Sequence, residues 1–173
     1  SQTQIPELDG GIIRAFLKLE GNSFWVGTKG KGLFKFPPNF YQSEEPLKYA
    51  NFNENNSVIN NAVFSLCKGQ NGLLFIGTDG KGITVYDVEK SKLISWSEIL
   101  GNRKYIADNE DGKSLSSNII FSIVPKNQNQ LWIGTRLGGL NLFNKESGLF
   151  RTYKNIKDDS QSLSNNDILC LKN

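Results

Sequence analysis

One segment occurs three times in this chain. Phe24-Trp25-Val26-Gly27-Thr28, Leu74-Phe75-Ile76-Gly77-Thr78 and Leu131-Trp132-Ile133-Gly134-Thr135 each place an aromatic residue two positions before Gly-Thr. A Gly-bearing turn and a second short apolar segment follow each copy: Gly32-Leu33-Phe34-Lys35-Phe36, Gly82-Ile83-Thr84-Val85-Tyr86 and Gly139-Leu140-Asn141-Leu142-Phe143. Upstream lie Ile12-Ile13-Arg14-Ala15-Phe16, Ala62-Val63-Phe64-Ser65-Leu66 and Ile119-Ile120-Phe121-Ser122-Ile123. A fourth copy opens at Asp167-Ile168-Leu169-Cys170-Leu171. Its lead-in, Ser162-Leu163-Ser164-Asn165-Asn166, matches Ser57-Val58-Ile59-Asn60-Asn61 and Ser114-Leu115-Ser116-Ser117-Asn118. Self-similarity at such a period means stacked supersecondary units, none of which buries its apolar face alone. Gly27 to Gly77 is 50 residues and Gly77 to Gly134 is 57, so the second unit carries an insertion.

The apolar stretches are short, β-branched and aromatic, and Gly, Asn, Ser and Asp separate them, which is the pattern of strands joined by turns. Thr28-Lys29-Gly30-Lys31-Gly32 and Thr78-Asp79-Gly80-Lys81-Gly82 put glycine where a tight hairpin needs positive φ. A fourth strand is expected at Tyr49 and Phe52, between Leu93 and Tyr105, and at Phe150 and Tyr153. Four strands in about 50 residues is the size of one propeller blade. The fold class is therefore all-β: a β-propeller fragment of about three and a half four-stranded antiparallel blades. The whole of 1–173 reads as a partial propeller, with units at about 11–56, 61–113 and 118–161 and the start of a fourth at 166–173. In the first strand of unit two, neither Val63, Ser65 and Cys67 nor Phe64 and Leu66 carries charge, so both faces are expected to be buried between blades. The small matched residues Ala15, Ser65, Ser122 and Cys170 suggest a crowded inner strand near the axis.

Roughly 45% of the residues are apolar when glycine is counted, the usual globular value. The longest apolar run, Leu73-Leu74-Phe75-Ile76, falls far short of the roughly 20 residues a membrane helix needs. No basic, apolar and small-residue succession marks the N-terminus as a secretion signal, so any such signal is expected to have been removed or to lie outside this piece. Twenty Lys and Arg against seventeen Asp and Glu leave a charge of +3 without a dense basic block, which argues against a nucleic-acid partner. There is no histidine, so the usual general base and the commonest metal ligand are both missing. Cys67 and Cys170 are neither a CxxC pair nor a disulfide framework, and both read as small buried hydrophobes.

A Ser-rich lead-in ending in Asn, a short apolar strand, then Leu131-Trp132-Ile133-Gly134-Thr135 with Gly138-Gly139-Leu140 after it resembles the two-component regulator propeller repeats. The other units carry the same pattern, with Phe75 replacing Trp in the second. The resemblance runs from about Ile12 to Leu171. It implies the periplasmic sensor region of a hybrid two-component histidine kinase of Bacteroides type, anchored in the inner membrane by its parent protein. It further implies an oligosaccharide ligand, regulation of polysaccharide-utilisation genes and no catalysis in this segment. A sensory propeller of that family has about seven blades followed by further domains, so this chain reads as a segment of a larger receptor. Unprotected blade faces lead us to expect self-association.

Residues of the repeat itself (Trp25, Gly27, Thr28, Phe75, Gly77, Thr78, Trp132, Gly134 and Thr135) are read as architecture, and function is sought in the departures from it. The turns after Gly-Thr carry Lys29, Lys31, Asp79, Lys81 and Arg136, and a basic ring there would hold a uronate or sulfate by charge-assisted hydrogen bonds. A solvated basic hairpin is the plainer reading. The insertion in unit two holds Trp96, Arg103, Tyr105 and Asp108. Trp96 has no counterpart elsewhere and would serve as a platform for a sugar ring, or else would fill its blade's fourth strand. Gly30-Lys31-Gly32 and Gly80-Lys81-Gly82 lack phosphate-loop spacing and join strand to strand. Asp108-Asn109-Glu110-Asp111-Gly112 lacks the alternating acidic spacing of a calcium loop. No cofactor or metal site is read. Glycoside hydrolysis by paired carboxylates is the enzymatic rival, though Gln70-Asn71-Gly72-Leu73-Leu74-Phe75 lacks the Ser and Asp of a sialidase box. A propeller scaffold that binds another protein is the non-enzymatic rival.

Overall fold

A computed structural model of the chain describes residues 8–38, 50–51, 62–94 and 114–172. Strands β1 (Ile12–Lys18), β2 (Phe24–Lys29), β3 (Gly32–Phe36) and β4 (Ala50–Asn51) form one antiparallel sheet. A second is made of β5 (Val63–Lys68), β6 (Leu73–Thr78), β7 (Ile83–Asp87) and β8 (Lys92–Ile94). The third is made of β9 (Ile120–Pro125), β10 (Gln130–Thr135), β11 (Leu140–Asn144) and β12 (Phe150–Tyr153). Each sheet pairs its strands in chain order, and no α-helix occurs among the described residues. The first strands touch one another in sequence, β1 with β5 and β5 with β9. This places them innermost, and the chain is an all-β array of propeller blades.

The Gly-Thr pair explains why the units repeat. A Cβ on Gly27 would lie 2.6 Å from Val63 Cγ1, and one on Gly77 would lie 2.7 Å from Ile120 Cγ2 and overlap Ser65 Oγ. A Cβ on Gly134 would sit 2.7 Å from the Ile168 carbonyl oxygen. Each glycine is thus the socket into which the next unit inserts a β-branched residue. The neighbouring threonine closes the hairpin: Thr28, Thr78 and Thr135 donate their hydroxyls to the carbonyls of Gly32, Gly82 and Gly139 at 2.9, 2.9 and 2.8 Å. Thr28 and Thr78 also accept from the Lys31 and Lys81 amides. Gly30 (φ 103°) and Gly80 (φ 98°) supply the expected left-handed backbone, and Leu137 (φ 58°) occupies that region in the third turn.

The lead-ins dock onto these hairpins. The Gly80 and Gly82 amides donate to the Asn118 carbonyl at 3.0 and 2.9 Å, and the Gly139 amide donates to that of Asn166 at 2.8 Å. In the third blade the fully buried Asn141 ties its lead-in to β12, accepting from the Ser116 amide and the Thr152 hydroxyl and donating to Ser116 Oγ at 2.7 Å. Between blades lie apolar clusters, one joining Trp25 and Leu33 to Val63, Leu74, Ile76 and Tyr86, the other joining Phe75, Ile83 and Val85 to Ile120, Leu131 and Phe143.

Three expectations need correction. The inner strand is not buried on both faces: Val63, Ser65 and Cys67 are buried while Phe64 and Leu66 are half-exposed. A register shift also recurs at the same place in every blade, between Ile13 and Ala15, between Val63 and Ser65, and opposite the Gly134–Thr135 step. The residue left over is Arg14, Phe64 or Phe121, and a bulge re-aims that side chain out of the sheet. These residues form a row, with the Arg14 guanidinium 5.7 Å from the Phe64 ring centre and Phe64 stacked 5.8 Å from Phe121. Second, Asp167–Leu171 carries no strand pairing among the described residues, although the Ile168 amide donates to the Thr135 carbonyl at 3.0 Å. Third, Cys170 is exposed, whereas Cys67 is buried.

Candidate functional site

The two ends of the blades differ in character. At one end, where every inner strand begins, lie the three basic hairpins. Lys29 faces Ile12 of its own inner strand and bridges to Ala62 of the next blade, as Asp79 bridges to Ile119. The hairpins therefore stand beside the inner strands. Lys29, Lys31, Lys81 and Arg136 are exposed and Asp79 is half-buried. These side chains are brought to one end of three adjacent blades, one hairpin each. Trp96, Arg103 and Tyr105, with Asp108, lie outside the described residues.

The repeat residues occupy structural places. Trp25 is fully buried, 5.4 Å from Tyr86 of the next blade, with Lys35 Nζ 5.4 Å from its ring centre. Phe75 is 2% exposed. Trp132 is half-exposed beside Tyr153 at 5.7 Å, lining a shallow groove with Leu140, Ile156 and Leu163. Thr28, Thr78 and Thr135 are fully buried.

At the opposite end is a cleft of about 770 Å³ between the first and second blades. Its apolar wall is Leu19, Leu73 and Val88, and Glu20, Lys68, Gln70 and Glu89 stand around its mouth. Glu20 and Lys68 form an ion pair across the blade boundary, and Lys68 holds the Glu20 carboxyl below its usual range by hydrogen bond and charge. With that pair neutralised, Glu89 leaves the cleft one negative charge. The turn after β7 is set by Asp87, which accepts from the Lys90 amide at 2.9 Å and has its carboxyl lowered first by that bond.

One unit later the equivalent residues Asn127, Gln128, Asn129, Gln130, Asn144 and Glu146 line a more polar pocket of about 480 Å³. The Val88 amide donates to the Gly72 carbonyl at 2.9 Å, and at the same place one unit later the Lys145 amide donates to that of Asn129 at 2.8 Å. Lys145 then reaches back across the boundary, its ammonium 6.0 Å from the Phe75 ring centre and pushed down in pKa by burial. Sequence reading did not single out Val88. The signal was present, because aligning the units at the 57-residue offset puts valine where the next unit has lysine.

Burial pushes the Cys67 thiol up to about 11, which leaves almost no thiolate at neutral pH. Alkylation of the native chain is expected to modify Cys170 alone, with Cys67 reacting only after denaturation. Mass spectrometry before and after guanidinium checks this, and native labelling of Cys67 would contradict the packing described. Among the described residues no group of three His, Cys, Asp or Glu side chains could hold a metal ion. No described helix is long and apolar enough to cross a membrane.

The two component regulator propeller model matches residues 114–136, which run from the third lead-in through β9 and β10. That stretch is similar to a two component regulator propeller repeat, and the first two units share its register. The extracellular domain assigned to the hybrid two component system BT3049 of B. thetaiotaomicron superposes with a TM-score of 0.66 at 19% identity, over 92% of this chain and 20% of that one. PorZ, a bacterial surface component of the type-IX secretion system of Porphyromonas gingivalis, gives 0.69 at 16% identity, over 96% and 24%. These likenesses establish the fold. The chain spans about a fifth to a quarter of the length of those proteins. No curated protein matches the sequence.

Proposed function

We propose that this chain is a ligand-sensing part of the extracytoplasmic region of a hybrid two-component sensor kinase, that its ligand is an oligosaccharide, and that the parent regulates polysaccharide-utilisation genes from the inner membrane. The segment itself catalyses nothing. The observation that carries this reading is the two component regulator propeller match on the third unit, whose hairpin geometry the first two units reproduce. The exposed Lys29, Lys31, Lys81 and Arg136 favour a glycan bearing uronate or sulfate, because cationic donors bind such groups by charge-assisted hydrogen bonds. Sensing follows if the ligand binds one receptor arrangement better than the other.

A thermal-shift screen of the full chain against neutral, uronate-bearing and sulfated oligosaccharides tests this. Binding at a hundred times Kd stabilises by about 2.7 kcal/mol, a shift of roughly 5–11 °C for a chain of this size. The expected result is a shift with an anionic glycan that Lys31→Ala combined with Arg136→Ala abolishes. Indifference to the whole panel would overturn the oligosaccharide reading.

A further inference from the structure

We propose that Arg14, Phe64 and Phe121, the residues that the register shifts leave outside the ladders, form the floor of a glycan site whose rim is the basic hairpins. A uronate or sulfated sugar is then read by its ring as well as by its charge. This rests on the oligosaccharide reading and names what lies beneath its cationic rim. Register fixes the placement. Ile13, Val63 and Ile120 lie opposite Thr28, Thr78 and Thr135. The residue after each is Arg14, Phe64 or Phe121, and the residue after each threonine is Lys29, Asp79 or Arg136. Each floor residue is therefore two steps from its own hairpin, about 7 Å along the strand. The next inner strand is tied to the same hairpin. Lys29 bridges to Ala62, Asp79 bridges to Ile119, and the Arg136 amide donates to the Ile119 carbonyl at 3.0 Å. Ala62 and Ile119 precede Phe64 and Phe121 by two residues.

The side chains suit a charged ring. Phe64 and Phe121 are half-exposed and belong to none of the buried apolar clusters, so blade packing does not account for them. Their rings stack at 5.8 Å and the Arg14 guanidinium lies 5.7 Å from the Phe64 centre. That pitch is comparable to the advance of a glycan chain by one residue. Phenyl rings offer apolar area to the C–H face of a pyranose. The exposed Arg14 offers a planar fork of donors to a carboxylate or sulfate on the same row. Lys29, Lys31, Lys81 and Arg136 add charge at the rim. Of the carboxylates there, Asp79 is half-buried, Asp167 accepts from the Leu137 amide at 2.7 Å, and Asp9 is exposed in the 8–11 turn that packs against Lys31. A ring without charge forfeits the cations, and an anion without a ring forfeits the phenyls.

Calorimetric titration of the full chain with trigalacturonate, a heparin tetrasaccharide, maltotriose and inorganic tripolyphosphate tests the proposal. One of the two anionic glycans is expected to bind at least tenfold more tightly than maltotriose and tripolyphosphate. Phe121→Ala, and Phe64→Leu, which keeps apolar bulk, are expected to weaken glycan binding about two- to tenfold while leaving the weak tripolyphosphate binding unchanged. Arg14→Ala is expected to weaken both, the glycan about tenfold. Circular dichroism melts establish that each variant is folded. Folded Phe64→Leu and Arg14→Ala variants that bind the glycan as the parent does would overturn the inference and leave the oligosaccharide reading standing. Binding of maltotriose or tripolyphosphate as tightly as the anionic glycan would do the same. Absence of binding by every saccharide would overturn both.

Discussion

Replacing Gly77 with valine is expected to lower the melting temperature by roughly 6–12 °C, the effect of about 3 kcal/mol in a chain of this size. The cost is steric and comes from two directions. The new Cβ would overlap Ser65 Oγ on the inner strand of its own blade and come within 2.7 Å of Ile120 Cγ2 on the next. Ile120 is β-branched and fully buried and has nowhere to move, while Ser65, buried opposite Gly77 in the β5–β6 ladder, relieves its overlap only by rotating its hydroxyl. Gly80→Ala provides the control. A Cβ there meets nothing within 4 Å, so only the strain of its positive φ is felt, about 1 kcal/mol. Thermal melts followed by circular dichroism compare the two. If G77V melts with the parent, the glycine is not the socket that joins the blades.

The second large effect separates repeat identity from burial. Trp25→Ala is expected to cost about 3–5 kcal/mol, the range for emptying a buried aromatic site, because the side chain is fully enclosed and held against Tyr86 and Lys35. Trp132 occupies the same position in its unit yet is half-exposed. Its removal is expected to cost less than half as much. Urea unfolding with a shared slope gives both values directly. Equal costs would mean that the position, whatever covers it, sets the energy.

The period of the chain was legible because blade packing imposes the same demands at each turn. A glycine must admit the next unit's Val63, Ile120 or Ile168, and a threonine must close the hairpin behind it. Requirements that recur leave a recurring pattern, and the strands and turns follow from it. Features that depend on one neighbour are harder to read. Nothing local in Phe64 says that it will fall at a register shift, and Cys170 reads like the buried Ser65 although it is exposed. The cleft shows the same limit. Val88 reads as one more strand-end residue, and its place in a cleft against Leu19 of the first blade follows only from the packing of two units. The basic hairpins were legible as exposed turns, and their position beside the inner strands came from the bridges of Lys29 and Asp79.

The register shift shared by the three inner strands has a consequence for how such an array can diversify. Arg14, Phe64 and Phe121 each occupy the one place in their strand that answers to no ladder partner, and the corresponding residue of the fourth unit is Leu169. A guanidinium and two phenyl rings therefore stand on a common mounting while the framework beneath them stays constant. Substitution there changes the chemistry presented along the row of inner strands one residue at a time, while the Gly-Thr sockets that join the blades stay in place. The chain thereby separates the residues that must stay from the residues that are free to be rewritten.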